Sequence, residues 1–152
     1  MSFFEWKDRM SVGYPEVDND HRKLMQYVNE MHEAALSGRG KDIVRPILDK
    51  LEVYSREHFA REEALWKAGH YAGFAKHKKE HDECPKAIAA FQARLATGSI
   101  ALAIDVTHFM RNWLQTHTLK SDKEAAAAIA AMKPVSTSAA ARHAGMHPVP
   151  AR

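Results

Sequence analysis

The sequence predicts an all-α fold, an up-down-up-down antiparallel four-helix bundle with an N-terminal arm and a C-terminal tail. Three observations predict it. Apolar residues recur at three-four spacing along most of the chain, the period of helices that each bury one face. Period-two runs rich in Val, Ile and Thr are absent, so strands have little support. Turn signals divide the chain into four segments of roughly 20 to 27 residues joined by short loops, which is bundle connectivity.

Residues 1–17 read as an arm that ends in the turn-like stretch Val12-Gly13-Tyr14-Pro15. Asp18 offers an N-cap for the first helix, which runs to Leu36 and is stopped by Ser37-Gly38-Arg39-Gly40. Its inward stripe is Leu24, Val28, Met31 and Ala35. The second helix starts near Asp42, tolerates Pro46 in or near its first turn and runs to Lys67, with Gly69 as its C-terminal stop. Val44, Ile47, Leu51 and Tyr54 form its stripe. The third helix spans Tyr71 to Ala96 and turns inward Phe74, Cys84, Ile88, Phe91 and Leu95. Pro85 removes the bond to the His81 carbonyl, which predicts a kink or short break over 81–85. The fourth helix runs from Ile100 through Asp122 with Leu102, Val106, Phe109 and Trp113 inward. The alanine-rich run Ala125 to Met132 has the propensity to continue it. Pro134 ends the pattern, and residues 133–152 read as a mobile tail beyond a single domain over 1–132.

Composition narrows the function classes. A chain of 152 residues with 45% hydrophobic and 27% charged residues has the make-up of one soluble core. The longest apolar run, Ala125 to Met132, falls far short of the roughly 20 residues a spanning helix needs, so no membrane insertion is expected. The first residues, MSFFEWKDRM, lack a signal-peptide pattern, and the single Cys84 allows no internal disulfide. Both point to a reducing cytoplasm. A net charge of +3 without a basic run gives no support to nucleic-acid binding. Nothing in the pattern calls for an oligomer, and a monomer is expected. The unusual feature is the count of ten histidines.

Several of those histidines continue the apolar stripes. His21 precedes Leu24, and His58 then Glu62 follow Tyr54. His77 and His81 lie between Phe74 and Cys84, and His117 follows Trp113. Burying polar groups without partners costs roughly 1–3 kcal/mol each, so these positions require an explanation, and a metal site supplies one. In an antiparallel bundle the start of the first and third helices and the end of the second and fourth share one level. Residues four apart lie on one face, so His58-x3-Glu62 and His77-x3-His81 can each present two ligands. Asp122 is five residues from His117, roughly 140° away on an ideal helix. Periodicity therefore leaves Asp122 open: the lean of side chains toward the helix N-terminus could still bring it to the site, and a local loosening of the helix would also help. His32, His70, His108, His143 and His147 read as surface or tail residues, and Cys84 as a small buried hydrophobe.

These residues resemble the bacteriohemerythrins. The resemblance runs from Trp6 to about Asp122 and rests on Asp18-x2-His21, His58-Phe59-x2-Glu62-Glu63, His77-x3-His81 and Trp113-Leu114-x2-His117-x4-Asp122. It implies a four-helix bundle that binds dioxygen reversibly at a non-haem di-iron centre. By this resemblance His77, His81 and His117 hold one iron, His21 and His58 the other, and Glu62 and Asp122 bridge them with an oxo or hydroxo group. The second iron is then one ligand short, so dioxygen is expected on the His21/His58 side. Leu24, Trp113 and Leu114 are positioned to line that pocket; core packing also accounts for each, and the resemblance favours the pocket for Trp113 and Leu114. The chain departs from the family pattern at Trp66, where Met is usual, and at Tyr71-Ala72, where Tyr-Pro is common. The implied role is oxygen carriage, storage or delivery to an oxygen-consuming enzyme. The alternatives are a di-iron enzyme or scavenger acting on peroxide or nitric oxide, and a sensor of oxygen or iron.

Overall fold

A proline at the first helical position starts the first helix earlier than Asp18 suggests. In the structure, a computed structural model that describes residues 2–38, 40–97 and 100–132, helix α1 is Pro15–Leu36. Pro15 suits this place because its missing N–H would have no intrahelical partner. Asp18 is therefore not the N-cap: it lies in the first turn, and its carboxylate accepts from the Val12 N–H (2.9 Å) and the Ser11 hydroxyl (2.5 Å). It ties down the arm instead of capping the helix. The arm is further held by Asn29, whose side-chain amide bonds both the N–H (2.8 Å) and the carbonyl (2.9 Å) of Phe4.

Helix α2 is Gly40–Ala68. Its earlier start puts Pro46 in the second turn, not the first. The expected stop at Gly69 is met by a different residue. His70 takes the left-handed conformation (φ 52°), and Tyr71 N–H to Trp66 O (3.0 Å) with His70 N–H to Lys67 O (3.1 Å) closes the helix end. Gly69 has its own reason: a Cβ there would lie 2.6 Å from Ile129 Cδ1. Helix α3 is Phe74–Ala93, followed by a 3₁₀ turn Arg94–Thr97. It begins after Tyr71 because residues 71–73 form the turn that leaves α2. It is unbroken through Pro85, so of the kink or short break expected over 81–85 the break does not occur.

Helix α4 is Ile100–Thr116. It opens into a π-helical turn, His117–Asp122, and resumes as α-helix over 123–132. The inward face of α4 is Leu102, Val106, Met110 and Leu114; Phe109 and Trp113 are only half-buried and lie to one side. The inward stripe expected from apolar spacing is thus off by one residue at these two positions. Expectations for the tail 133–152, with His143 and His147, lie outside the described residues.

Two apolar clusters fill the bundle. The larger includes Leu24, Val28, Met31, Leu48, Leu51, Cys84, Ile88, Leu102, Val106 and Met110. Full burial of each such large side chain contributes about 1.5–3 kcal/mol. The smaller is a plug of Val12, Val17, Trp66, Ala125, Ala126 and Ile129. Along α1 and α3 the chain passes from the plug side to the large cluster, and along α2 and α4 it returns. That alternation is the up-down-up-down order. Between the clusters, on every helix, lie the polar residues singled out above. No helix among the described residues is long and apolar enough to cross a membrane.

Candidate metal centre

The polar layer has contributions from all four helices. The start of α1 supplies His21, and the end of α2 supplies His58 and Glu62. The start of α3 supplies His77 and His81. The π turn supplies His117 and Asp122. All seven are buried, with Glu62, His58 and Asp122 at 0% exposure. The π turn answers the question of Asp122. Hydrogen bonding from i to i+5 places residues five apart on one face, and Asp122 Oδ1 lies 2.9 Å from His117 Nε2.

The donor atoms form two groups able to hold a metal: Glu62, His77, His81, His117 and Asp122, and His21, His58 and Glu62. The carboxylates face both. Glu62 Oε1 lies 2.6 Å from His77 Nε2 and 2.9 Å from His81 Nε2. Its other oxygen, Oε2, lies 3.1 Å from His58 Nε2 and 3.7 Å from His21 Nε2. Asp122 divides in the same way, with Oδ1 3.0 Å from His77 Nε2 and Oδ2 3.1 Å from His21 Nε2. His81 Nε2 and His117 Nε2 stand 3.0 Å apart.

Glu62 Oε1 takes part in hydrogen bonds to His77 and His81, but the short distances to Glu62 Oε2 and to Asp122 are not hydrogen bonds. His21 Nδ1 and Nε2, His58 Nε2, Glu62 Oε2 and both Asp122 oxygens are buried without a hydrogen-bond partner among the described residues. They are close to one another but aimed past one another. So many orphaned polar atoms would cost roughly 1–3 kcal/mol each, whereas a cation between them would take up their lone pairs. The residues fit a metal pair.

Outer contacts fix which nitrogen faces inward. His58 Nδ1 pairs with Asp20 Oδ2 at 3.0 Å, His81 Nδ1 with Glu63 Oε2 at 3.2 Å and His117 Nδ1 with Glu80 Oε2 at 3.0 Å. A carboxylate on Nδ1–H leaves Nε2 as the free ligand atom and raises its basicity. Asp20 also takes two bonds from Arg61 (2.7 and 2.9 Å). Burial opposes its charge, but His58 and Arg61 hold its carboxyl well below the usual range. Glu80 also accepts from Ser121 (2.5 Å). Sequence reasoning gives no role to Asp20 or Glu80, and quotes Glu63 only as part of a motif. Each adjoins a ligand in sequence, which is the only signal, and adjacency does not say which ring it will meet.

In the metal-free layer, burial disfavours the imidazolium forms, yet Asp122 and Glu62 override it. His21 is raised to about 9, His77 to about 8 and His117 to about 10. Burial likewise disfavours the charge on Glu62, but the neighbouring imidazoles of His117, His21, His58 and His77 hold its carboxyl far below the ordinary value.

The walls differ from side to side. Phe59 stacks on His81 (4.3 Å between centroids), and Trp113 on His117 (4.5 Å). Trp113 is therefore a cover on the three-histidine side, away from the position expected for a ligand pocket, because the face of α4 is turned by one residue. Leu24 sits in the large core cluster. Leu114 does line a small cavity of ≈ 10 Å³ beside His21, with Phe4, Trp6, Met10, Met25 and Thr118 among its other walls. That is room for about one water-sized molecule. Cys84 is fully buried, and burial pushes its thiol up to about 12.

Comparison with known proteins bears on the same residues. The hemerythrin HHE cation binding domain matches residues 12–129. The bacteriohemerythrin of Methylococcus capsulatus is 35% identical over 113 residues, covering 74% of this chain and 84% of that protein. A hemerythrin of Sipunculus nudus is 27% identical over 114 residues, covering 75% of this chain and 83% of that protein. A crystal structure of wild-type hemerythrin superposes with a TM-score of 0.70 at 31% identity, covering 80% of this chain and 94% of that one.

Proposed function

The chain belongs to the hemerythrin family, and from that premise we propose that it holds two non-haem iron ions and binds dioxygen reversibly, as a carrier, store or delivery protein. In this reading His77, His81 and His117 would hold one iron and His21 and His58 the other, with Glu62 and Asp122 available to both. The observation that carries it is the division of each buried carboxylate, one oxygen toward each histidine group. Imidazole and carboxylate donors suit iron. When bound, an iron pair supplies two electrons that pass to dioxygen and can return.

The chain's own residues supply the rest. Three histidines and two carboxylate oxygens would nearly saturate one ion, while two histidines and the other two oxygens would leave the second more open. The open side is the one that adjoins the ≈ 10 Å³ cavity. Its lining is mostly apolar, which favours a small neutral molecule over an anion and limits water entry. Asp20, through Arg61 and His58, holds the open side's imidazole in one orientation.

The test is anaerobic purification, iron analysis, and visible spectra through repeated cycles of dioxygen and its removal. About two irons per chain and a spectrum that returns on each cycle are expected, and His58→Ala should lower the iron content. A chain without iron would overturn the reading. A spectrum lost after one exposure would instead favour a scavenger of peroxide or nitric oxide.

A further inference from the structure

Trp66 is fully buried in the apolar plug, yet its indole N–H points out of it. A buried indole N–H requires an acceptor. The two it meets are both donor atoms of the candidate metal layer: Glu62 Oε1 at 3.1 Å and His77 Nε2 at 3.1 Å. The indole ring also packs edge-on against Tyr14 (5.5 Å) and His77 (5.9 Å), so its orientation is fixed from two sides. Glu62 and Trp66 are one helical turn apart on α2, which gives the N–H a short, rigid path to the carboxylate.

We propose that Trp66 is a positioning residue for the bridging carboxylate, donating its indole hydrogen bond to Glu62 Oε1 in the metal-loaded protein. The assignment rests on the two-metal reading above. His77 Nε2 has a single in-plane lone pair, which a bound metal would occupy. Glu62 Oε1 has two, one for the metal and one for a hydrogen bond. Metal binding therefore resolves the shared contact in favour of Glu62. Two effects follow. The carboxylate is held at the angle that serves both ions. The donated bond also withdraws electron density from Glu62, which favours the lower oxidation state of any redox-active metal it holds.

The test uses the full chain loaded with zinc(II), which is diamagnetic and redox-inert. The indole N–H resonances of Trp6, Trp66 and Trp113 are assigned by nuclear magnetic resonance. In the loaded protein the Trp66 proton is expected downfield of the other two and slow to exchange with water. Trp66→Phe, which keeps a ring but removes the donor, is expected to weaken zinc binding about 10-fold. With iron, it is expected to lower the midpoint potential. Ile129→Ala loosens the same plug without touching Glu62, so it should reduce thermal stability and leave zinc affinity unchanged. A Trp66 proton at the free-indole position, or equal affinity losses in the two variants, overturns the assignment while leaving the two-metal reading intact. If Trp66→Phe does not fold, the wild-type resonance decides alone. A wild-type chain that takes up no zinc overturns both readings, and it is recognised first, from the stoichiometry.

Discussion

The two halves of the metal layer use the same kinds of donor but are held differently. On the three-histidine side, His81 and His117 each have a carboxylate on Nδ1 and an aromatic ring stacked on one face. On the two-histidine side, among the described residues, only His58 has a carboxylate on Nδ1, its ring contacts are tilted or edge-on and not stacked, and His21 Nδ1 has no hydrogen-bond partner. The first half is braced where coordination would be nearly complete. The second is braced on one ligand and meets a cavity at the other. Under the dioxygen-binding reading proposed above, rigidity falls where nothing needs to enter, and slack where the ligand would.

The largest break in that comparison comes from the residue the halves share. Glu62→Gln removes the negative charge common to both groups, and two-ion loading is expected to be lost in zinc titration of the apo-protein. One ion retained with undiminished affinity would mean that the halves do not depend on a shared bridge. Outer-carboxylate variants sharpen the contrast. Asp20→Asn is expected to weaken the second zinc step about 10- to 100-fold and leave the first unchanged, whereas Glu80→Gln should weaken the first by a similar factor. Isothermal titration separates the two steps.

A smaller effect comes from pH. In the apo-protein His77, His21 and His117 are raised above the unfolded value of 6.5, to about 8, 9 and 10. A raised histidine stabilises the fold fully below its unfolded pKa, and that contribution is lost as pH rises through the folded one. Urea midpoints of apo-protein are therefore expected to fall between about pH 7 and 10. Zinc affinity should rise over the same window as the competing protons leave. A flat apo midpoint there would show that the layer does not hold those protons.

Much of this is legible in the sequence because burial is periodic. Helical spacing picks out the bundle, and the interrupted stripes pick out His21, His58, Glu62, His77, His81 and His117 as residues that need a buried partner. Where the pattern misleads, tertiary contact has overruled it. Asp18 looks like a cap, but Pro15 already fixes the helix start and the arm takes the carboxylate. Gly69 looks like a stop, but closeness to Ile129 requires it and His70 takes the left-handed turn. Trp113 is expected as a wall of a ligand pocket, and its ring is stacked on His117, a contact that apolar spacing does not encode. Asp20 is bonded 38 residues away in sequence, to His58, a pairing no local spacing encodes.

The π turn does more than bring Asp122 round. Drawn on an ideal α-helix, the buried face made by Leu102, Ala103, Val106, Thr107, Met110 and Leu114 and that made by Ala125, Ala126 and Ile129 would be out of phase by roughly 100°, the rotation of one residue. The wider turn at His117–Asp122 absorbs that offset, as a one-residue insertion would. It works as a phase corrector between two segments of a single rod. Deleting one residue within it would leave each segment a good helix yet swing Ile129 away from Gly69 and Asp122 away from His21. The geometry of the metal layer and the seal at the end of the bundle are thus set by the same extra residue, and neither can be re-registered alone.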